Sequence, residues 1–332
     1  MRVVITGATG FLGRHVAEAF VQQGCEVAAI VRHTSRTGPL EALGVRLHTV
    51  TFDQPEALMQ AVTGAEAIVH AAAKVHTYGR WREFQHVTAE GTRALLNAVA
   101  RARVPHFIHL STVGVYGWPR PDGRPFDETC IFGKPYRWNY YSRAKILAEQ
   151  FVQQSPTPFT ILRPTWVYGP QDTASIPRIV NALRAGRLKL IGDGNNRLSI
   201  VYVTDVARAV VAIAQNPKTR GAIFNIANDE TCPTQREFLQ IICRLTGLEE
   251  PTAQISYAAA HRLAFLSEGV AHVTGYRICP PLTRLAVLLL GGQRRYSSDK
   301  IRRAIGWQTS IGAEEGLRCA LNNERRSQTV LR

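Results

Sequence analysis

Short apolar runs alternate with longer amphipathic stretches through the first half of the chain. RVVIT (2–6), EVAAIV (26–31), RLHTVTF (46–52), AIVHAA (67–72), HFIHLS (106–111) and FTILR (159–163) have strand length and few polar breaks. Near-continuous apolar strands fit a sheet buried on both faces. Between them, GRHVAEAFVQQG (13–24) and EFQHVTAEGTRALLNAVARARV (83–104) carry apolar residues at helical spacing. Strand then helix, repeated, implies right-handed crossovers and a doubly wound parallel α/β sheet of Rossmann type. After Arg163 the pattern loosens. RPTWVYGPQD (163–172) reads as a loop, LSIVYV (198–203) and AIFNIA (222–227) as two further strands, and the remainder from Asp229 as mostly helical with Pro and Gly breaks. The expected organisation is a nucleotide-binding domain over 1–168, to which 198–228 returns. A smaller, discontinuous lobe is expected over 169–197 and 229–330.

Composition narrows the partners. Lys and Arg total 40 against 25 Asp and Glu, a formal charge of +15 in a chain of 332 residues. The basic residues are scattered, and no zinc-finger or RNA-binding aromatic pattern accompanies them, so an anionic small ligand is expected rather than nucleic acid. The cysteines at 25, 130, 232, 243, 279 and 319 show no CxxC spacing and no local His partner. Free thiols in a reducing compartment, and no metal site, are the expectation. Residues 2–6 read as a strand and not as a secretory signal, which points to the cytoplasm. The run LAVLLLGG from Leu285 is too short to span a bilayer.

TGATGFLG (6–13) follows the first strand and opens the first helix. Gly7, Gly10 and Gly13 suit a tight turn, close approach of a pyrophosphate, and close packing of helix on strand. Thr9, Phe11 and Leu12 lie between them at the helix N-terminus, where free N–H groups favour phosphate. The second strand runs into Arg32, followed by Arg36, where an acidic residue would select the ribose 2′-hydroxyl of NAD. An arginine suits the 2′-phosphate of NADP, so NADP is the preferred cofactor and NAD the second. Asp53 is a candidate for the adenine amino group. Ala71, Ala72 and Ala73 are small, as a strand end passing close to a ribose requires.

NYYSRAKILAE (139–149) offers a reactive pair. With 139–153 helical, Tyr141 and Lys145 share a face, whereas Tyr140 pairs with Ala144. A free phenol has a pKa of about 10, and a neighbouring ammonium is expected to lower it. Lys145 could also hold the cofactor ribose. STVGVYG (111–117) follows the fifth strand, so Thr112 stands at the ligand edge of the sheet, able to hydrogen-bond the substrate oxygen that Tyr141 reaches. A hydroxyl, a phenol and an amine around a nicotinamide amount to carbonyl reduction or alcohol oxidation, with the hydride carried by the cofactor.

GATGFLG, HAAA, STVGVYG, YSRAK, RPTWVYGP and VYVTDVA together resemble the extended short-chain dehydrogenase/reductase family, in the family's order and over nearly the whole chain. The resemblance implies Thr112, Tyr141 and Lys145 as the catalytic set, with Thr112 chosen over Ser111 because Tyr116 follows it by four. It implies Pro164, Thr165 and Val167 beside the nicotinamide, and a homodimer through helices near 83–104 and 139–154. Thr88, within VTAEGT (87–92), stands where the family usually has Asn, a mainly structural residue that helps place an active-site water.

Two subgroups compete for the substrate. Nucleotide-sugar enzymes carry an Arg just before the VYVTDVA-type segment; here Leu198, Ser199 and Ile200 stand there, with Arg197 one residue away. GGQRRYSSDK (291–300) also replaces their R-x-G-D stretch. CPPLTRLAVLLLGGQRRYSSDKIRRAIGW (279–307) and WREFQHVTAEGT (81–92) are similar instead to 3β-hydroxysteroid dehydrogenases, decarboxylating sterol-4-carboxylate dehydrogenases and 2-alkyl-3-oxoalkanoate reductases. The expected reaction interconverts a 3-oxo and a 3-hydroxy group on a large hydrophobic substrate, such as a steroid or a long β-keto acid. YAAAHRLAFL (257–266) and PLTRLAVLLL (281–290) could cover such a substrate, or lie on a membrane surface through 257–290. A nucleotide-sugar epimerase, dehydratase or reductase is the alternative, and a non-catalytic NADP-binding scaffold the third reading.

Overall fold

The computed structural model describes residues 1–117, 123–133 and 136–329, without the side chains of 323–329. Residue 330, the expected end of the smaller lobe, lies outside the described residues.

Five strands from the first half, β1 (Arg2–Thr6), β2 (Glu26–Val31), β3 (Arg46–Thr49), β4 (Ala67–His70) and β5 (Phe107–Leu110), lie parallel beside β6 (Phe159–Pro164). The strand Ala222–Ile226 adds to the β6 edge, so this seven-stranded sheet runs outward from β1 through β2 to β3 on one side. On the other side it runs through β4, β5 and β6. The order reverses between β1 and β4, which opens a crevice at their carboxyl ends. Both sheet faces are covered. Val3, Ile5, Val27, Ala29 and Ile108 pack on the side of the helix Phe11–Gln22, and Val4, Ala28, Ile68 and Phe107 pack on the side of the helix Gly91–Arg101.

Three local readings change. RPTWVYGPQD is not a loop. β6 runs to Pro164, and β7 (Trp166–Tyr168) pairs with a strand at Ile200–Tyr202 in a separate two-stranded sheet. Three residues between a proline and a glycine give no periodicity to read. LSIVYV contributes only Ile200–Tyr202, because Val203 already opens the helix Val203–Ala214. The single helix expected over 83–104 is three pieces: a turn at Trp81–Phe84, a π-helical segment at Gln85–Glu90, and an α-helix at Gly91–Arg101. The π turn buries both Thr88 and Ala89.

The smaller lobe has its own apolar core, built on Ile179, Val180, Leu183, Phe238, Ile242 and Leu317. Its helix Gln235–Thr246 is closed at both ends by local chemistry. Thr234 and Glu237 form a capping box, and Gly247 takes the left-handed conformation at the exit. The chain stitches lobe to sheet late in the sequence. Ser298 Oγ donates to the Ala227 carbonyl at 3.0 Å, Phe126 bridges to Tyr296, and buried Asp205 accepts from Ser310 Oγ at 2.8 Å. No helix among the described residues is long and apolar enough to cross a membrane.

Candidate active site

The carboxyl edge of the sheet gathers residues from six strand ends. After β1, Gly7 has φ +74°, and a Cβ there would lie 2.6 Å from Ala72 N. A Cβ on Gly13 would lie 2.2 Å from the Gly7 carbonyl oxygen, so the helix Phe11–Gln22 starts flat against the turn. Gly10 differs: a Cβ there meets only that carbonyl, at 3.2 Å. Its outer side faces open space. Gly10 caps the helix without a side-chain hydrogen bond, so the first-turn N–H groups are left for an anion. This cradle fits the pyrophosphate of a dinucleotide. Thr9 and Gly10 are exposed, Phe11 and Leu12 half-buried, and Phe11 meets His15 edge-on.

Arg32 and Arg36 lie exposed just past β2, on a turn closed by Ser35 N donating to the Arg32 carbonyl at 2.9 Å. The residues that follow β2, 32–37, include no Asp or Glu. Asp53 is exposed beyond β3, and the Thr51 hydroxyl that donates to it holds its carboxyl below the ordinary range. Ala71, Ala72 and Ala73 follow β4, with Ala71 N donating to the Thr6 carbonyl at 3.1 Å. Pro164 and Thr165 end β6 and are buried, with Thr165 N donating to the Ile226 carbonyl at 3.0 Å. Val167 lies one strand further on and packs its side chain against the core.

Thr112 leaves β5 in extended backbone and caps a short 3₁₀ turn, its Oγ1 accepting from Gly114 N at 3.1 Å. The hydroxyl hydrogen remains for another acceptor. The turn lies hard against the helix Tyr140–Gln154: a Cβ on Gly114 would stand 2.6 Å from Ser142 Oγ. Asn139 Oδ1 caps that helix by accepting from Ser142 N at 3.1 Å. The chain leaving β5, which carries Thr112, and the first turns of the helix that carries Tyr141 and Lys145 are thereby packed against each other. Ser111 is committed elsewhere, donating to Glu149 in the core.

The electrostatics depart from expectation. Lys145 is 2% exposed, and its Nζ donates to the Leu110 carbonyl at 2.6 Å, not to Tyr141. Burial pushes Lys145 down to about 8 against the opposing pull of Glu149. Burial likewise pushes Tyr141 up to about 12. The expected lowering of the phenol by Lys145 is absent in this structure, because the ammonium is held on the backbone and desolvation of the phenolate dominates.

Beneath these residues lies a polar layer that sequence reading missed. Thr6 Oγ1 and His70 Nδ1 are 2.6 Å apart, His70 Nε2 and Thr92 Oγ1 2.9 Å, and Thr92 Oγ1 donates to the Thr88 carbonyl at 2.6 Å. Thr92 spends its hydrogen on Thr88, so His70 Nε2 carries the proton and Nδ1 accepts from Thr6. Burial, with Lys145 nearby, lowers His70 to about 3 and keeps it neutral. Thr88 itself accepts from Lys74 N at 3.1 Å, tying the π turn to the segment after the alanines. The neighbouring His109 is buried with neither ring nitrogen bonded among the described residues. A histidine near the end of each of two adjacent apolar strands was the available signal. Buried Glu149 and Arg163 form an ion pair at 2.6 Å, and Arg163 lies 4.8 Å over the Tyr116 ring. Tyr116 in turn donates to Asn225 Oδ1 at 2.7 Å, fixing the Thr112 turn to the last strand of the sheet.

Arg197 donates to the Cys232 carbonyl at 2.8 Å on the smaller lobe. Arg294 lies 5.9 Å from the Tyr136 ring centroid, and its Nε is buried with no acceptor among the described residues. No cluster of His, Cys, Asp or Glu among the described residues is arranged to hold a metal ion.

A parallel sheet with a glycine cradle at its reversal point, and a hydroxyl, phenol and amine beside it, defines a dinucleotide-dependent enzyme of the Rossmann class. The chain belongs to the NAD dependent epimerase/dehydratase family, whose sequence pattern it matches over residues 3–227. It is 30% identical to the 4-hydroxy-2-methyl-3-oxo-4-farnesyl-3,4-dihydroquinoline-1-oxide ketoreductase of Stigmatella aurantiaca, over 96% of this chain and 95% of that one. It is 29% identical to the 2-alkyl-3-oxoalkanoate reductase of Stenotrophomonas maltophilia, over 96% and 98% of the two chains. Among solved structures, the UDP-glucuronic acid 4-epimerase of Bacillus cereus in complex with NAD superposes with a TM-score of 0.77. That likeness, at 19% identity over 98% of this chain and 99% of that one, shows the fold alone. The protein is accordingly a nicotinamide-dependent oxidoreductase of the epimerase/dehydratase type.

Proposed function

We propose that this enzyme interconverts a 3-oxo and a 3-hydroxy group on a large hydrophobic substrate, with NADP as the preferred cofactor. The observation that carries the reading is the seating of the Thr112 turn on the first turn of the Tyr141 helix, with Lys145 behind it. A bound nicotinamide would supply or accept the hydride. Thr112 donates its free hydroxyl hydrogen to the substrate oxygen and orients it. Tyr141 delivers or removes the proton on that oxygen. With burial raising it to about 12, the phenol is protonated at neutral pH and enters carbonyl reduction carrying the proton it donates. Lys145, fixed on the Leu110 carbonyl, holds the ribose.

Cofactor contacts are assigned to Gly7, Thr9, Gly10, Phe11, Leu12 and Gly13 at the phosphates, with Ala71, Ala72 and Ala73 beside them. Asp53 is placed at the adenine, and Pro164, Thr165 and Val167 at the nicotinamide. Exposed Arg32 and Arg36, with no acidic neighbour at the strand end, support the 2′-phosphate. The smaller lobe, 169–197 and 229–330, receives the substrate. Half-buried Arg294, whose Nη2 donates to Tyr136 OH and whose Nε has no acceptor among the described residues, supports an anionic group on that substrate, as on a β-keto acid. The names of the two relatives, both reductases of oxo compounds, point the same way. Nucleotide-sugar chemistry loses ground, because Arg197 is engaged with Cys232. A homodimer through 83–104 and 139–154 completes the proposal.

The test is nicotinamide absorbance with NADPH or NADH and a panel of 3-ketosteroids, long β-keto acids and nucleotide sugars. Turnover of a hydrophobic ketone with NADPH is expected. Tyr141→Phe should reduce kcat by more than about a thousandfold with cofactor affinity retained. Turnover confined to a nucleotide sugar, or full activity in Tyr141→Phe, overturns the reading.

A further inference from the structure

The helix Tyr257–Val273 has two unlike faces. Ala260 and Ala264 are buried against Ile191 and Val287. On the opposite side, Leu263, Leu266, Val270 and Val273 are 52%, 62%, 55% and 86% exposed. Steps of three and four residues align them in one stripe along the helix. Phe265 and Ile278 are also exposed nearby, at 57% and 54%. Among the described residues, only Met1, Val75 and Ile131 are large exposed hydrophobics outside 257–289. A concentration of this kind on one element marks a contact surface.

Charge selects the partner. Between 257 and 292 the only carboxylate is Glu268, and it is turned inward on Arg284 at 2.6 Å. The exposed charged residues of the tract are Arg262 and Arg277, joined at the Gly275 turn by Arg80. An apolar stripe rimmed by arginines, on a chain of net charge +15, complements an anionic lipid surface. The tract also reaches the start of the Tyr141 helix and the segment after β4. His261 meets Trp138 edge-on at 6.1 Å, and Trp138 immediately precedes the cap of the Tyr141 helix. Across the cleft, Tyr276 stacks on Tyr78, and Cys279 bonds the Tyr78 hydroxyl at 2.7 Å.

We propose that the Leu263–Leu266–Val270–Val273 stripe seats the protein on an anionic phospholipid bilayer, and that substrate enters the cleft from the lipid. Arg262, Arg277 and Arg80 meet the phosphate head groups while the stripe enters the acyl boundary. The substrate's route rests on the function proposed above; the docking itself does not.

The experiment is co-sedimentation of the full chain with phosphatidylcholine vesicles, with and without phosphatidylglycerol, without cofactor or substrate. Binding is expected only with phosphatidylglycerol and should weaken as salt rises. Arg262→Glu/Arg277→Glu should cut partitioning by roughly tenfold or more. Val270→Ser/Val273→Ser should cut it strongly while leaving the melting temperature and the turnover of a water-soluble substrate unchanged. A wild-type chain that stays in the supernatant overturns the proposal. So does a serine variant that binds as well as wild type. Sedimentation velocity gives the remaining arm: a dimer that dissociates in the serine variant, with no vesicle binding by wild type, assigns the stripe to a second copy. Vesicle binding without turnover of any hydrophobic ketone would sink the function reading and leave the docking standing.

Discussion

Glu149→Gln removes one half of an ion pair whose members are 0% and 3% exposed. Glu149 accepts from Arg163 at both Nε and Nη2, and from Ser111. Arg163 Nη1 already has no acceptor among the described residues, so the remaining guanidinium would be a buried charge with little compensation. Breaking a buried pair from one side costs about 3–5 kcal/mol. At about 2 °C per kcal/mol in a chain of this size, the melting temperature should fall by roughly 6–10 °C. Removing both charges with Glu149→Leu/Arg163→Met should restore part of that loss, since the desolvation penalty goes with them. Calorimetry or urea titration of the wild type, both single variants and the double variant gives the coupling. A loss below about 1 kcal/mol in Glu149→Gln, or a double variant no more stable than the single, would refute the reasoning. The same substitution has a second readout. Glu149 opposes the burial that lowers Lys145, so its removal should depress the lysine further and move the pH dependence of turnover.

Lys145 makes its own prediction. Its folded pKa of about 8 lies below the ordinary lysine value of 10.5, so the folded state resists protonation. The cost is fully present below pH 8 and is relieved as pH rises toward 10.5, a change on the order of 3 kcal/mol. Lys145→Met should flatten that rise in denaturant titrations, and an unchanged slope would contradict the burial argument. Arg32→Ala should weaken NADPH binding by about ten- to hundredfold, measured by fluorescence titration, with NADH little affected. Equal losses for both would deny a role at the 2′-phosphate. Gly10→Ala and Gly13→Ala should separate two functions of the turn. Gly13→Ala, with its Cβ 2.2 Å from a carbonyl oxygen, should lose stability. Gly10→Ala should melt near wild type and bind cofactor at least about tenfold more weakly. The reverse pattern in calorimetry and binding would show the cradle misread.

What was legible in the sequence was what local sterics dictate. Gly7 and Gly13 are legible because a Cβ at either position would strike backbone atoms. Tyr141 was separable from Tyr140 because helical spacing alone decides which shares a face with Lys145. What could not be read depends on pairing across long separations. The strand Trp166–Tyr168 exists only through its partner Ile200–Tyr202. The choice of Thr112 over Ser111 rested on spacing, which does not show the Ser111–Glu149 bond between residues thirty-eight apart. The sign of the Tyr141 perturbation was misjudged for the same reason: a motif shows a nearby lysine but not the backbone carbonyl that holds it, nor the depth at which both are buried.

The stitching at Tyr296, Ser298 and Ser310 has a consequence for biosynthesis. Phe126, Ala227 and Asp205 all wait for partners translated at residues 296, 298 and 310. The sheet can form on the ribosome as its strands emerge, yet the wall beside the Thr112 turn closes only after residue 310 has cleared the exit tunnel. A nascent chain stalled before that point would present the Gly7–Gly13 turn on a formed sheet without a finished cleft beside it.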